Sequence, residues 1–124
     1  MDETAAVAAL AALAQASRLA VFRLLVQQGP AGLAAGAIGE RVGIPATTLS
    51  FHLAQLGHAG LVVSRRHGRS IVYAAHYAAM QDLLGFLLDN CCQAGGGCNP
   101  APASPSRRPR RRGPSKGTVR KEER

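Results

Sequence analysis

The sequence predicts a mainly α-helical domain that carries a β-hairpin. Apolar residues recur every three or four positions through most of residues 4–58 and again from residue 76, which is the period of amphipathic helices. Between these regions, residues 61–75 form two runs rich in β-branched residues on either side of His67 and Gly68, the pattern of a hairpin. Because a short helix, a turn and a second helix precede the hairpin, we expect a winged helix-turn-helix.

The composition of the 124-residue chain changes near residue 99. Residues 99–124 contain nine basic and two acidic residues, a net charge of +7, out of +8 for the whole chain. They hold almost no large apolar side chains, so they cannot bury enough surface to offset the entropy lost on ordering. We therefore predict a folded domain over residues 1–92, a cysteine-rich segment over 91–98 and a disordered tail over 99–124. Such a tail either attracts nucleic acid or serves only to keep the protein soluble.

Two helices are predicted before the helix-turn-helix. The first begins near Asp2, which places acidic residues in its first turn, and runs to about Ala14. The second is expected to have Ser17 as its N-cap and to end at Gly29. Its apolar face is predicted to consist of Leu19, Phe22, Leu25 and Val26.

The helix-turn-helix itself is predicted from residues 33–58. Gly43 ends a short helix and Pro45 sets the turn. In the next helix the core stripe consists of Leu49, Leu53 and Leu56. The other faces carry small or hydrogen-bonding side chains suited to base edges in a major groove, namely Thr47, Thr48, Ser50, His52 and Gln55. For His52, packing against the body of the domain is an equal alternative.

The hairpin and the last helix follow. Three arginines, Arg65, Arg66 and Arg69, flank the tip of the hairpin, where we expect them to contact phosphates or the minor groove of DNA. A solvated turn without DNA contacts is the alternative. From His76 the helical period returns and is expected to continue to about Asn90, directly before Cys91. The apolar positions of this helix are Tyr77, Met80, Leu83, Leu84, Leu87 and Leu88.

The string TTLSFHLAQLGHAGLV resembles the signature of the ArsR family of bacterial metal-responsive repressors. The matching positions are Ser50, His52, Leu53, Leu56 and residues 59–62, and LAQASRLAVFRLLV also resembles the second helix of that family. The resemblance covers about residues 5–92 and implies a homodimer that pairs through its first and last helices and binds a palindromic double-stranded operator. Those two helices carry more apolar residues than a lone domain of this size needs, which independently favours a two-fold dimer.

All three cysteines lie together, at Cys91, Cys92 and Cys98, with three glycines between the pair and the third. Thiolates select soft ions. Three thiolates fit As(III) or Sb(III), whereas structural zinc takes four ligands. The usual sensing sites of the ArsR family are absent: the recognition helix has no cysteine, and the last helix lacks the matching Asp, His and Glu spacing. The cluster resembles a subgroup of the family that binds trivalent arsenic.

These observations predict an arsenite- or antimonite-responsive transcriptional repressor that leaves its operator when the metalloid binds. The alternatives are a zinc- or cadmium-sensing repressor, a thiol redox sensor, and a DNA-binding protein that senses nothing. An enzyme is not expected, because no paired-carboxylate, Ser-His-Asp or phosphate-loop arrangement is present. The N-terminus lacks the basic region of a signal peptide and no run approaches the roughly 20 apolar residues of a membrane span, so we expect a cytoplasmic protein with no membrane partner.

Overall fold

A computed structural model of the chain describes residues 1–94. The chain divides into two units, residues 1–89 and residues 90–124. The first unit contains five helices and three strands in the order α1 (Glu3–Leu13), α2 (Ala16–Gln28), β1 (Leu33–Ala34), α3 (Ala35–Val42), α4 (Ala46–His58), β2 (Val62–His67), β3 (Ser70–Ala75) and α5 (Tyr77–Leu88). The predicted winged helix-turn-helix is confirmed: α3 and α4 form the helix-turn-helix, and β2 and β3 form the wing. The tail predicted over 99–124 lies outside the described residues.

The first two helices begin where a side chain binds a free backbone N–H. The Asp2 carboxylate accepts a hydrogen bond from the backbone N–H of Ala5 at 2.8 Å, as expected of an N-cap. The second helix begins differently from the prediction. Its cap is Gln15, whose side chain accepts from the backbone N–H of Arg18 at 2.9 Å, and Ser17 lies inside the first turn. The prediction of Ser17 as cap was wrong because the chain bends at Ala14, earlier than residue propensity alone indicates.

The buried side of α2 is rotated from the predicted one. Val21, Phe22 and Leu25 are buried, whereas Leu19 is 43% exposed. At about 100° per residue, Leu19 lies roughly 110° from the centre of the buried side, so it falls at the edge of the packed face. In α4 the core follows the predicted leucine stripe, and residues from the other helices and the wing complete it. Beyond α2 the buried core consists of Ala6, Ala9, Ala12, Ile38, Leu49, Leu53, Leu56, Leu61, Val62, Ala75 and Leu83.

The sheet has a third strand that the sequence pattern did not indicate. Its order is β1-β3-β2 with antiparallel neighbours, and Leu33 pairs with Tyr73 while Ala34 pairs with Val72. β1 is only two residues long and has no β-branched residue, so it carries no local strand signal. The wing itself is as predicted: His67 pairs with Ser70, and the turn between them has Gly68 at φ +64°.

The turn between α3 and α4 also follows the prediction. Gly43 takes a left-handed conformation, and its N–H and that of Ile44 both donate to the carbonyl oxygen of Gly39, which ends α3. Pro45 then precedes α4 in an extended conformation. These two residues set the direction in which α4 leaves the turn and crosses the domain.

The last helix is shorter than predicted. It ends at Leu88, because Asp89 is extended and Asn90 has φ +62°. A turn follows, closed by a hydrogen bond from the N–H of Gln93 to the carbonyl of Asn90. Cys91 therefore follows the helix after two non-helical residues rather than directly.

Within residues 1–94, no single helix is both long and apolar enough to cross a membrane. Only α1 and α2 taken together reach those limits, and they are bent by 102° where they meet.

Candidate DNA-binding face and cysteine cluster

One side of α4 is open to solvent along its whole length. Three of the side chains predicted to read bases, Thr47, Thr48 and Ser50, are exposed, and Gln55 is half-buried. The opposite side holds the leucine stripe that fixes the helix to the core. The structure therefore brings four of the five predicted base-reading side chains of α4 to surface positions.

His52 occupies a different position from these four. Its side chain is only 8% exposed, and its Nδ1 atom has no hydrogen-bond partner within residues 1–94. It belongs to the buried side of α4 together with Leu53 and Leu56. The structure thus matches the alternative in which His52 packs against the body of the domain.

Sequence reasoning missed the centre of the open face. Thr47, Phe51, Ala54 and His58 are all exposed and follow one another at spacings of four, three and four residues, so they lie in one row along the helix. Phe51 is 58% exposed. The spacing from Thr47 was visible in the sequence, but an aromatic residue is normally assigned to the core.

The three arginines of the wing differ in their bonding. The guanidinium of Arg65 donates from Nη2 to the carbonyl oxygen of Ala31 at 2.7 Å, which ties β2 to the segment before β1. Arg66 and Arg69 are exposed, and their side chains make no hydrogen bond or ion pair within residues 1–94. Arg66 and Arg69 can therefore direct all of their donors outward, whereas Arg65 also positions the wing.

The charge of the face comes from the wing and not from the helix. Residues 46–58 contain no Asp, Glu, Lys or Arg, so α4 contributes none of the charged side chains of the face. The wing contributes three guanidinium groups within residues 65–69. This arrangement suits a division of labour in which the wing attracts phosphates and the helix contacts base edges.

The first turn of α5 is fastened to the elements that carry this face. Tyr77 donates its hydroxyl hydrogen to the carbonyls of Val26 and Leu25 at 3.1 and 3.3 Å. The Nδ1 atom of His76 lies 3.0 Å from the carbonyl oxygen of Gly60. Gly60 follows shortly after the end of α4. Together these bonds hold the start of α5 against the ends of α2 and α4.

The outer sides of α1 and α5 are apolar and exposed. The two helices contact each other. Their exposed large apolar residues are Val7 and Leu10 on α1 and Leu84, Leu87 and Leu88 on α5. We call this set the α1/α5 apolar surface.

Two of the three cysteines lie within the described residues. The sulfur atoms of Cys91 and Cys92 are 3.3 Å apart, and both residues are exposed. Cys92 is a free thiol with φ +60°, and Cys91 is disulfide-bonded. Cys98 lies outside the described residues. Within residues 1–94 there is no group of three His, Cys, Asp or Glu side chains placed to hold a metal ion, so the predicted three-thiolate site stays a prediction.

Known proteins resemble this chain in both sequence and structure. Residues 13–65 match the family pattern of a helix-turn-helix domain. The nodulation protein NolR of Rhizobium meliloti is 36% identical over 88 residues, which cover 71% of this chain and 70% of that protein. An ArsR-like transcriptional regulator from Rhodococcus sp. RHA1 superposes with a TM-score of 0.61 at 27% identity, over 68% of this chain and 76% of that one. The chain belongs to the ArsR family of helix-turn-helix transcriptional regulators.

A second solved structure of the ArsR type shows how such domains assemble. The winged helix-turn-helix DNA-binding domain Mb0332 from Mycobacterium bovis, described as homodimeric and as a possible ArsR-family regulator, is 28% identical with a TM-score of 0.56. The match covers 76% of this chain and 87% of that one. As an ArsR-family protein, this chain is a DNA-binding transcriptional regulator, and the similarity indicates no enzymatic family.

Proposed function

We propose that this regulator is a homodimeric repressor that binds a palindromic operator and leaves it when trivalent arsenic or antimony binds Cys91, Cys92 and Cys98. The observation that carries the metalloid part is a pair of exposed cysteines, Cys91 and Cys92, whose sulfur atoms lie 3.3 Å apart. A single soft ion can bond two sulfurs at that separation, and the sequence supplies a third cysteine seven residues after Cys91.

The α1/α5 apolar surface supports the homodimer. Leu84, Leu87 and Leu88 are each more than half exposed, and Val7 is 58% exposed. Exposed large apolar residues gathered on two helices that contact each other suggest an interaction site. A two-fold axis beside α1 and α5 would cover the surface with its own copy. The homodimeric Mycobacterium bovis domain has the same fold.

The open face of α4 supports operator binding. In a two-fold dimer each protomer presents one α4 helix, and two such helices read half-sites about one helical turn of DNA apart. Arg66 and Arg69 would contact phosphates beside each half-site, because both are exposed and unpaired within the described chain. A palindromic site follows from the symmetry of such a dimer.

The position of the cysteines in the chain supports release by the inducer. Two residues separate Cys91 from the end of α5, and α5 carries part of the proposed dimer surface and is fastened to the ends of α2 and α4. Thiolates, not a disulfide, bind the ion, so the site requires reduced protein and binding displaces protons. Binding of the ion would order the segment after α5. This would change how α5 packs against the second protomer. A coupling of about 1–3 kcal/mol would lower operator affinity about 5–150-fold.

The test is an operator-release titration on the full chain. A duplex is first selected from a random-sequence pool, and its binding to reduced protein is followed by fluorescence anisotropy. We expect arsenite and antimonite to release the wild-type protein and the variant Cys91→Ser/Cys92→Ser/Cys98→Ser to stay bound. Release of the triple variant by arsenite would contradict the proposal. Zinc and cadmium serve as comparison ions, and methylarsenite on Cys98→Ser tests whether Cys91 and Cys92 suffice.

A second candidate is a thiol redox switch at the same cysteines. Cys91 is disulfide-bonded in the structure, and this oxidised state supports the candidate. In this case an oxidant such as diamide would change operator affinity, dithiothreitol would reverse the change, and arsenite would have no effect on reduced protein. If neither arsenite nor oxidation changed operator affinity, the regulator would be one that senses nothing through its cysteines.

A further inference from the structure

Phe51 is an aromatic residue on a helix face that otherwise carries small polar side chains. It is 58% exposed and is the one large apolar residue exposed on α4, whereas the leucines of the same helix are 2% exposed or less. Its neighbour His52 is turned inward, with the two ring centroids 6.1 Å apart and the planes tilted by 60°. Phe51 therefore contributes little to the core of this domain.

The place of Phe51 on α4 is the middle of the open face. Thr47 and Ala54 lie one turn before and one turn after it in the same row. Each carries a methyl group, beside a hydroxyl in Thr47, so the centre of the face is more apolar than its margin, where Thr48 and Ser50 lie. When α4 lies in a major groove, the residues in this row point most directly toward the base edges.

The chemistry of this face limits what it can recognise. With no Arg, Lys, Asn or acidic side chain in residues 46–58, α4 cannot form the bidentate contact that selects guanine or accept from cytosine through a carboxylate. The groove offers one apolar group to an aromatic ring, the C5 methyl of thymine. Contact between the two removes apolar surface of both from water.

We propose that Phe51 is a specificity-determining residue that recognises thymine in each operator half-site through its C5 methyl group. The inference rests on the proposed binding of an operator by α4. On this proposal, the open face of α4 recognises one base, thymine, through one chemical group, its C5 methyl. It is independent of the metalloid, because it concerns only how the inducer-free protein selects DNA.

The experiment removes the methyl group without changing the base pair. A duplex is selected from a random pool with full-length reduced protein, and each thymine is then replaced in turn by deoxyuridine. We expect one position in each half-site at which wild-type affinity falls about fourfold, and about fifteenfold when both half-sites are changed, which corresponds to one methyl-sized group per half-site. In Phe51→Ala the thymine and deoxyuridine duplexes should bind equally.

Two variants control for general effects. Phe51→Leu keeps an apolar side chain and should retain part of the sensitivity to the methyl group. Val63→Ala shortens a side chain on β2 that is 48% exposed. This variant should retain the full sensitivity to the methyl group. Melting temperatures close to that of the wild type for Phe51→Ala, Phe51→Leu and Val63→Ala would show that the fold is intact.

The outcomes separate this inference from the proposed function. If the pool yields a specific duplex but wild-type binding is insensitive to every deoxyuridine, or if Phe51→Ala keeps the full sensitivity, the role of Phe51 is overturned while operator binding stands. If no duplex is enriched, operator binding fails and this inference fails with it.

Discussion

Gly32 decides, as a single residue, whether the third strand can form. It has φ +73°, and a Cβ atom built on it would collide with the carbonyl oxygen of Tyr73 and lie 3.1 Å from Cγ1 of Val72. Both contacts belong to β3, so the chain before β1 can approach the sheet only without a side chain. The requirement is invisible in the sequence, where Gly32 stands between Ala31 and Leu33 in a stretch with two other glycines, Gly29 and Gly36.

Replacement of Gly32 by Ala should lower the free energy of unfolding by about 2–4 kcal/mol, because a left-handed backbone and a backbone collision are combined. Gly43→Ala is the matched control. Gly43 has nearly the same φ, +71°, but nothing lies within 4 Å of the position that a Cβ atom would occupy there, so about 1 kcal/mol is expected. Urea denaturation followed by circular dichroism measures both. Equal losses in the two variants would show that the close approach to β3 is unimportant.

His52 illustrates at the same scale why a residue type does not determine a role. In the sequence it stands among Thr47, Ser50 and Gln55, and all four were reasonable base-reading residues. The structure buries the histidine and exposes Phe51 beside it. The choice between the two depends on how α4 is rotated about its own axis, and the packing of its leucines against the other helices sets that rotation.

At the scale of elements, α5 is joined to the rest of the domain by few polar contacts. The hydroxyl of Tyr77 reaches two carbonyls at the end of α2. These carbonyls lie in the last turn of α2, where no later helical N–H is available to bind them. The bond therefore satisfies the end of one helix with the beginning of another.

Tyr77→Phe should lower the free energy of unfolding by about 1 kcal/mol, since it removes the single hydroxyl hydrogen that the two carbonyls share and leaves the ring in place. The control is Tyr73→Phe, which removes a hydroxyl that makes no hydrogen bond within residues 1–94 and should change stability by less than about 0.5 kcal/mol. Thermal unfolding at one fixed protein concentration compares the two. A loss in Tyr73→Phe as large as that in Tyr77→Phe would contradict the anchoring role of Tyr77.

At the scale of the whole molecule, the exposed leucines of α5 define the expected assembly. One domain alone leaves Leu84, Leu87 and Leu88 in water, although residues of the same helix such as Leu83 are buried. Burying a leucine is worth about 1.5–3 kcal/mol. In a two-fold dimer each of these leucines occurs once in each protomer, and both copies are buried. A few leucines therefore suffice to hold two copies together.

Leu87→Glu should convert the dimer to a monomer at micromolar concentration, because two carboxylates would be placed in an apolar interface. Val63→Glu is the control, since Val63 has a similar exposure, 48% against 52%, but lies on the wing. Sedimentation velocity over a range of concentrations distinguishes the two states, and circular dichroism checks that both variants fold. If Leu87→Glu sedimented as the wild type does, the α1/α5 apolar surface would not be the dimer interface.

The sequence alone determined the order and type of the main elements. The leucine spacing of α4, the left-handed Gly43 and the glycine turn of the wing are local signals, and local signals depend on the backbone preferences of a few neighbouring residues. The neighbouring positions of Cys91 and Cys92 are also a local property of the sequence, whereas their binding of a metalloid stays a prediction. These features could be predicted without knowledge of what packs against what.

Tertiary structure decided which side of each element is buried. Leu19 is exposed, His52 is buried, Arg65 binds the carbonyl of Ala31, and β1 pairs with β3 although its sequence carries no strand signal. Each of these results depends on contacts between residues far apart in the chain. A local pattern holds no information about the partner, so the rotation of a helix or the pairing of a two-residue strand emerges only when the elements pack together.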